Sequence, residues 1–223
     1  MFRLLFLTTL ALLLLSCSDP GARDEKGRTA LIRAAERGDV TVVIEQLDRG
    51  ADPHARDHCQ WSALLMASTG GHTDVVDILL SRGADPNDQD TGAYNAVMQA
   101  AAHNHTDTLK LLLEAGADIE RADGTLGWTA LIWAAKEGHS GPVRLLLERG
   151  ANPEVRDYGG NTALLWAVQR GHLEVVELLL QYGSNPAPVD RDGNTALTIA
   201  AQNGQQLILE VLARAVANPD HLK

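Results

Sequence analysis

One motif returns every 33 residues along nearly the whole chain of 223 residues, and this constrains the fold more than any other feature. Thr29, Ser62, Asn95, Thr129, Thr162 and Thr195 mark the same point in successive units, at spacings of 33, 33, 34, 33 and 33. Around each mark T-A-L, A-A, G-H, L-L and G-A-D recur at fixed offsets. A fixed period of this length describes one supersecondary unit that cannot bury its apolar face alone. Such units become stable only by stacking on their neighbours.

The marked residues are all Thr, Ser or Asn, whose side chains accept hydrogen bonds from the free N–H groups of a helix's first turn. Six helix N-caps are therefore expected. Gly38, Gly71, Gly138, Gly171 and Gly204 follow at the position where a left-handed C-cap ends a short helix, and Asn104 stands there in the third unit. A second helix follows, with apolar pairs such as Val75-Val76 and Leu79-Leu80 on one face. Gly50, Gly83, Gly116, Gly150 and Gly183 stop it, and GADP-like turns lead into a finger. The ends depart from the pattern, as terminal units should. Gln46 replaces Leu in the first, and Val216 replaces Gly in the last.

This combination resembles the ankyrin repeat family over residues 23–218. The resemblance implies an all-α repeat solenoid of about six ankyrin repeats, helix-turn-helix pairs joined by finger loops. One departure is consistent. The familiar T-P-L-H has Ala for Pro in all six units, and Ile32, Leu65, Met98, Ile132, Leu165 or Thr198 for His. Apolar packing is expected to replace the histidine's hydrogen bond.

Before the repeats, residues 1–16 carry Arg3 and an apolar core from Leu4 to Leu15. This is shorter than the roughly 20 residues that cross a bilayer, and has the order of a signal peptide. The run Leu14-Leu15-Ser16-Cys17 resembles the bacterial lipobox, which implies lipidation of Cys17. A short tether, residues 17–22, would then hold the repeats close to the membrane, and residues 219–223 form a tail. Two or more acyl chains anchor stably where one does not. With Ser18 after the cysteine, the resemblance to enterobacterial lipoproteins implies the outer membrane, on its periplasmic face, rather than the inner. An effector exported into a host cell is disfavoured by such an anchor.

Charge narrows the partner class. The chain carries 19 basic and 29 acidic residues, a net charge of −10. Nucleic-acid binding needs clustered Lys and Arg to displace counterions, so this balance argues against it. With Cys17 lipidated, Cys59 is the one remaining thiol, in the second finger.

Chemistry is sparse. His72, His105, His139 and His172 recur in the G-H motif and are expected to be structural. His54, His58, Cys59 and His103 match no four-ligand zinc pattern. No G-x-S-x-G, H-E-x-x-H or phosphate-cradling glycine loop occurs. The finger aspartates are turn formers that bond their own backbone. A non-enzyme without metal or cofactor is expected.

Aromatic residues point to binding. Trp61, Tyr94 and Trp128 each directly precede a cap, where they are expected at exposed finger tips. Tyr158 lies on the next finger, and Trp133 and Trp166 sit four residues after a cap. In ankyrin proteins those positions line the concave groove. Trp133 and Trp166 could equally pack inward as core. The resemblance implies a monomeric, membrane-tethered scaffold that holds, protects or inhibits a protein partner. Oxidant-defence support and toxin immunity are both roles proposed for similar proteins. The alternative is an envelope lipoprotein sensing a small ligand or metal through the aromatic groove and the His54–Cys59 cluster.

Overall fold

The structure, a computed structural model, describes residues 21–217. Among them are twelve helices in six antiparallel pairs. The first helix of each pair is α1 (Ala30–Arg37), α3 (Ala63–Gly70), α5 (Ala96–Ala102), α7 (Ala130–Glu137), α9 (Ala163–Arg170) and α11 (Ala196–Gln202). The second is α2 (Val40–Asp48), α4 (Thr73–Ser81), α6 (Thr106–Glu114), α8 (Ser140–Glu148), α10 (Leu173–Gln181) and α12 (Gln206–Ala217). First helices pack on first helices and second on second, each pair touching the next, so the array is two helical layers running in parallel. The leader through Cys17 and Ser18, the first part of the tether and the tail lie outside the described residues.

Each first helix starts where its cap residue stands. All six cap side chains accept a hydrogen bond from the backbone N–H three residues on, at 2.9–3.4 Å. The helices stop in left-handed residues: Gly38, Gly71, Gly138, Gly171 and Gly204 all have φ between 67° and 78°, and Asn104 has φ 62°. Gly38 is required twice over. A Cβ there would lie 2.5 Å from the ring of His72, which stacks on the turn of the preceding repeat.

The departure from T-P-L-H resolves as packing. Ile32, Leu65, Met98, Ile132 and Leu165 are fully buried. In the last repeat Thr198 is exposed, and its hydroxyl instead completes a capping box with Thr195. The histidines of the G-H motif point backwards along the array. Their Nε2–H groups donate to the carbonyls of Glu36, Thr69, Ala102 and Lys136, one repeat earlier, at 3.0–3.2 Å. A carbonyl can only accept, so these bonds fix each ring's tautomer and tie neighbouring repeats together.

Each finger is a tight hairpin turning around an aspartate. Asp57, Asp90, Asp123, Asp157 and Asp190 accept backbone N–H groups across their own turns. Fingers are then stapled sideways. Arg23 donates to the carbonyl of Arg56, Arg56 to that of Gln89, and Arg156 to that of Val189. The third finger has Gln89 in place of the arginine, and there the Gly124 N–H bonds to the Gly92 carbonyl at 2.9 Å.

Candidate binding face

The residues four, seven and eight places after each cap lie on one helical face. That face of the first helices, together with the inner arms of the fingers, forms one continuous side of the array. From repeat one to repeat five the offset-four position holds Arg33, Met66, Gln99, Trp133 and Trp166. All five are partly exposed.

Aromatic rings concentrate over repeats three to five. Trp128 packs edge-on against Trp133 (centroids 4.6 Å apart) and Trp166 (5.0 Å). Tyr94 reaches Trp133 at 5.8 Å, also edge-on. Edge-to-face pairs at such distances are favourable beyond the area that they bury. The Lys136 ammonium lies over the Trp128 and Trp133 rings, 5.4 and 5.7 Å from their centroids, within range of a cation–π attraction. Lys136 also pairs with Glu137. Its hydrogen bond to that carboxylate is the main reason the Glu137 pKa falls below its usual value.

Two finger aspartates hold the cluster from beneath. Asp157 Oδ2 accepts both the Trp128 indole N–H at 3.0 Å and that of Trp166 at 2.8 Å, while its Oδ1 takes the Asn161 N–H at 2.7 Å. Asp123 Oδ2 accepts the Trp133 indole N–H at 3.3 Å. Both aspartates are buried. They turn their fingers and orient the tryptophans, so the loop chemistry and the aromatic face are one structure.

The burial pattern corrects the expected row of exposed tips. Trp128 is only 6 % exposed, because it is enclosed by Trp133 of its own repeat and Trp166 of the next. A residue directly before a cap lies on the finger's returning arm, not at its tip, as the pairing of Gln89 with Asn95 and of Ala122 with Thr129 shows. Trp61 and Tyr94 occupy the same arm and are partly exposed. Trp61 makes no ring contact with the cluster among the described residues. Tyr158 does stand at a tip and is 57 % exposed.

The structure adds residues that the pattern alone left out. Between Tyr94 and Trp133 opens a cleft of about 110 Å³, also lined by Met98, Gln99, Ala102 and His103. Leu126 is 43 % exposed at the fourth finger's tip, and its carbonyl accepts the Tyr158 N–H at 2.9 Å. The signal for Leu126 was present: the single 34-residue spacing places one extra residue in this finger. Lys136, seven places after its cap, was also readable from its offset.

The other candidates do not assemble. Cys59 is exposed and carries no disulfide. The His58 ring lies against Gly27 of the preceding finger. Among the described residues no three His, Cys, Asp or Glu side chains stand close enough to hold a metal ion. No described helix is long and apolar enough to cross a membrane.

Comparison with known proteins gives a consistent result. The family model described as ankyrin repeats (3 copies) matches residues 6–90, 88–157 and 155–221. A solved ankyrin repeat domain from Acinetobacter baumannii AYE is similar, with 33% identity and a TM-score of 0.77. The match covers 83% of this chain and 96% of that one. No curated protein matches. Ankyrin repeats generally mediate protein–protein interaction and are typically non-enzymatic, and this chain belongs to the ankyrin repeat family.

Proposed function

We propose that this protein is a membrane-tethered scaffold of the bacterial envelope, which holds, protects or inhibits a partner protein in the periplasm. One observation carries the binding reading: a partly exposed aromatic face over repeats three to five, flanked by the exposed tips Leu126 and Tyr158. Trp and Tyr dominate interface hot spots because they bury large area with little loss of conformational freedom. Trp133, Trp166, Tyr94, Trp61 and Tyr158 would meet the partner, while Trp128 supports them from below. The tether rests on Leu14–Cys17, with Cys17 carrying the lipid.

Crosslinking in intact envelopes, followed by affinity purification, tests the face. Tyr158→Ala with Leu126→Ala should remove most of the crosslinked partner while the melting midpoint stays unchanged. Undiminished capture would place the interface elsewhere. The tether is tested separately with labelled fatty acid, which should mark the wild-type chain and not Cys17→Ser. Unlabelled wild-type protein would end the lipoprotein reading.

A further inference from the structure

Charge is distributed unevenly between the two helical layers. The first helices carry four cations, Arg33, Arg37, Lys136 and Arg170, against the anions Glu36 and Glu137. Both anions are already paired, Glu36 with Arg28 and Glu137 with Lys136. Arg37 and Arg170 make no ion pair among the described residues. The second helices carry ten carboxylates against Lys110, Arg144 and Arg214. Even with Arg49, Arg82 and Arg149 at their C-caps, that layer stays negative. A chain of net charge −10 thus presents a cationic first-helix face.

Distance decides which charge a bound segment meets. The outer surface of the second layer lies about two helix diameters away, roughly 20 Å. Screening at physiological salt acts over about 8 Å, so the acidic layer contributes little on the far side. Local groups dominate there. On α9, Trp166 and Arg170 are four residues apart, and Glu137 on α7 lies close enough to Arg170 for its carboxylate to be stabilised by it. The two buried aspartates beneath the rings direct their oxygens at indole and backbone N–H groups.

The cleft beside Trp133 supplies the second determinant. An apolar cavity of about 150 Å³ accepts a benzene molecule. The cleft of 110 Å³ between Tyr94 and Trp133 therefore takes one aliphatic side chain.

We infer that the first-helix face binds an acidic segment of its partner: carboxylates facing Lys136 and Arg170, and one aliphatic side chain in the Tyr94–Trp133 cleft. This rests on the scaffold reading above and specifies the chemistry of what is held.

The test uses the purified full chain and three capped peptides of equal length, alternating Leu with Glu, Gln or Lys. Binding is read by indole fluorescence and by the anisotropy of a labelled peptide. The Glu/Leu peptide should bind most tightly and weaken with added salt. Lys136→Gln with Arg170→Gln should weaken it at least tenfold, to the level of the Gln/Leu peptide. Arg170→Gln alone, at an exposed position, should give part of that loss in a chain with an unchanged melt. The inference is overturned by tighter binding of the Lys/Leu peptide, by failure of all three to bind, or by charge changes without effect. It is equally overturned if phosphatidylglycerol vesicles bind in a Lys136- and Arg170-dependent way and the Glu/Leu peptide does not. Envelope crosslinking separates this failure from that of the scaffold reading, since a partner captured through Leu126 and Tyr158 leaves the scaffold standing.

Discussion

Trp61 and Trp128 occupy the same place in their repeats, one residue before the N-cap on a finger's returning arm, and they meet different fates. Trp128 is enclosed, its indole N–H bonded to Asp157 and its ring set between Trp133 and Trp166. Trp61 is partly exposed, because the matching positions around it hold Met66 in its own repeat and Gln99 in the next. Asp90, the counterpart of Asp157, accepts N–H groups from Gly92 and Tyr94 within its own finger. Burial at this position is thus decided jointly by the residue's own unit and the neighbouring repeat, and not by its place in the motif. That follows from an architecture in which each unit shares its apolar surface with the units beside it.

The largest expected difference between the two regions lies in stability. Trp128→Ala should cost about 3–5 kcal/mol, the usual loss for a buried Trp, whereas Trp61→Ala should cost about 1 kcal/mol or less. Denaturant titration followed by far-UV dichroism measures both. Equal losses would break the comparison and restore the row of equivalent finger residues.

Asp157 sharpens the same contrast at smaller scale. Hydrogen bonds to a charged acceptor are worth about 1.5–3 kcal/mol each in net stability. Asp157→Asn keeps the turn but turns an amide toward two indole N–H groups, and should cost about 2 kcal/mol. Asp90→Asn retains an oxygen for Gly92 and Tyr94 and should cost less than half as much. A near-neutral Asp157→Asn in denaturant titration would show that the tryptophans hold each other without the carboxylate.

The fingers also differ at the left-handed residue of the turn. Gly127 has φ 73° in the fourth finger, while Gln60 adopts φ 66° in the second without glycine's freedom. A non-glycine residue there costs about 1–2 kcal/mol, partly offset by glycine's greater entropy loss of roughly 0.5–1 kcal/mol. Gln60→Gly should therefore raise stability by about 0.5 kcal/mol. Gly127→Ala should lower it by about 1–2 kcal/mol, since its Cβ would also lie 2.7 Å from the Tyr158 ring. Thermal melts of the two variants should shift in opposite directions, and a shift in the same direction would show that the turn geometry does not govern them.

The fold was legible because it is local and repeated. Cap, αL stop and the buried residue three after the cap are set within one unit, and six copies of the pattern reinforce one another. The side that carries aromatic residues was legible too, from the offsets of Trp133 and Trp166. What one unit's pattern could not give was contact across the 33-residue period. The packing of Trp128 on Trp166, its indole bond to Asp157 and the cleft between Tyr94 and Trp133 all join different repeats. Leu126 is legible only as an insertion: the 34-residue spacing marks one extra residue in its finger, but the aligned offsets assign that residue no role.

The smallest expected effect concerns protons, and it too belongs to one region. Lys136 and Glu137 have no counterparts in repeat two, where Thr69 and Gly70 stand at the matching positions. The Lys136 hydrogen bond lowers the Glu137 pKa from its ordinary 4.5, with Lys136, His139 and Arg170 adding favourable charge. A carboxylate with a depressed folded-state pKa stabilises fully above its unfolded value. That stability is lost as pH falls through the lowered folded value. Glu137 is 39 % exposed, so its contribution should be that of a surface pair, about 0.3 kcal/mol. Other lowered carboxylates titrate in the same range, including Asp24, taken to about 2 chiefly by the Arg28 backbone N–H. The informative quantity is therefore the difference between the parent chain and Glu137→Gln. The parent should lose its small advantage as pH falls below 4.5, and should show no advantage at about 1 M salt, where screening extends only about 3 Å. Protonation should also release Lys136 from its carboxylate partner above the Trp128 and Trp133 rings, changing indole emission over that pH range. Parallel stability curves and constant emission would mean that Lys136 is held by the rings alone.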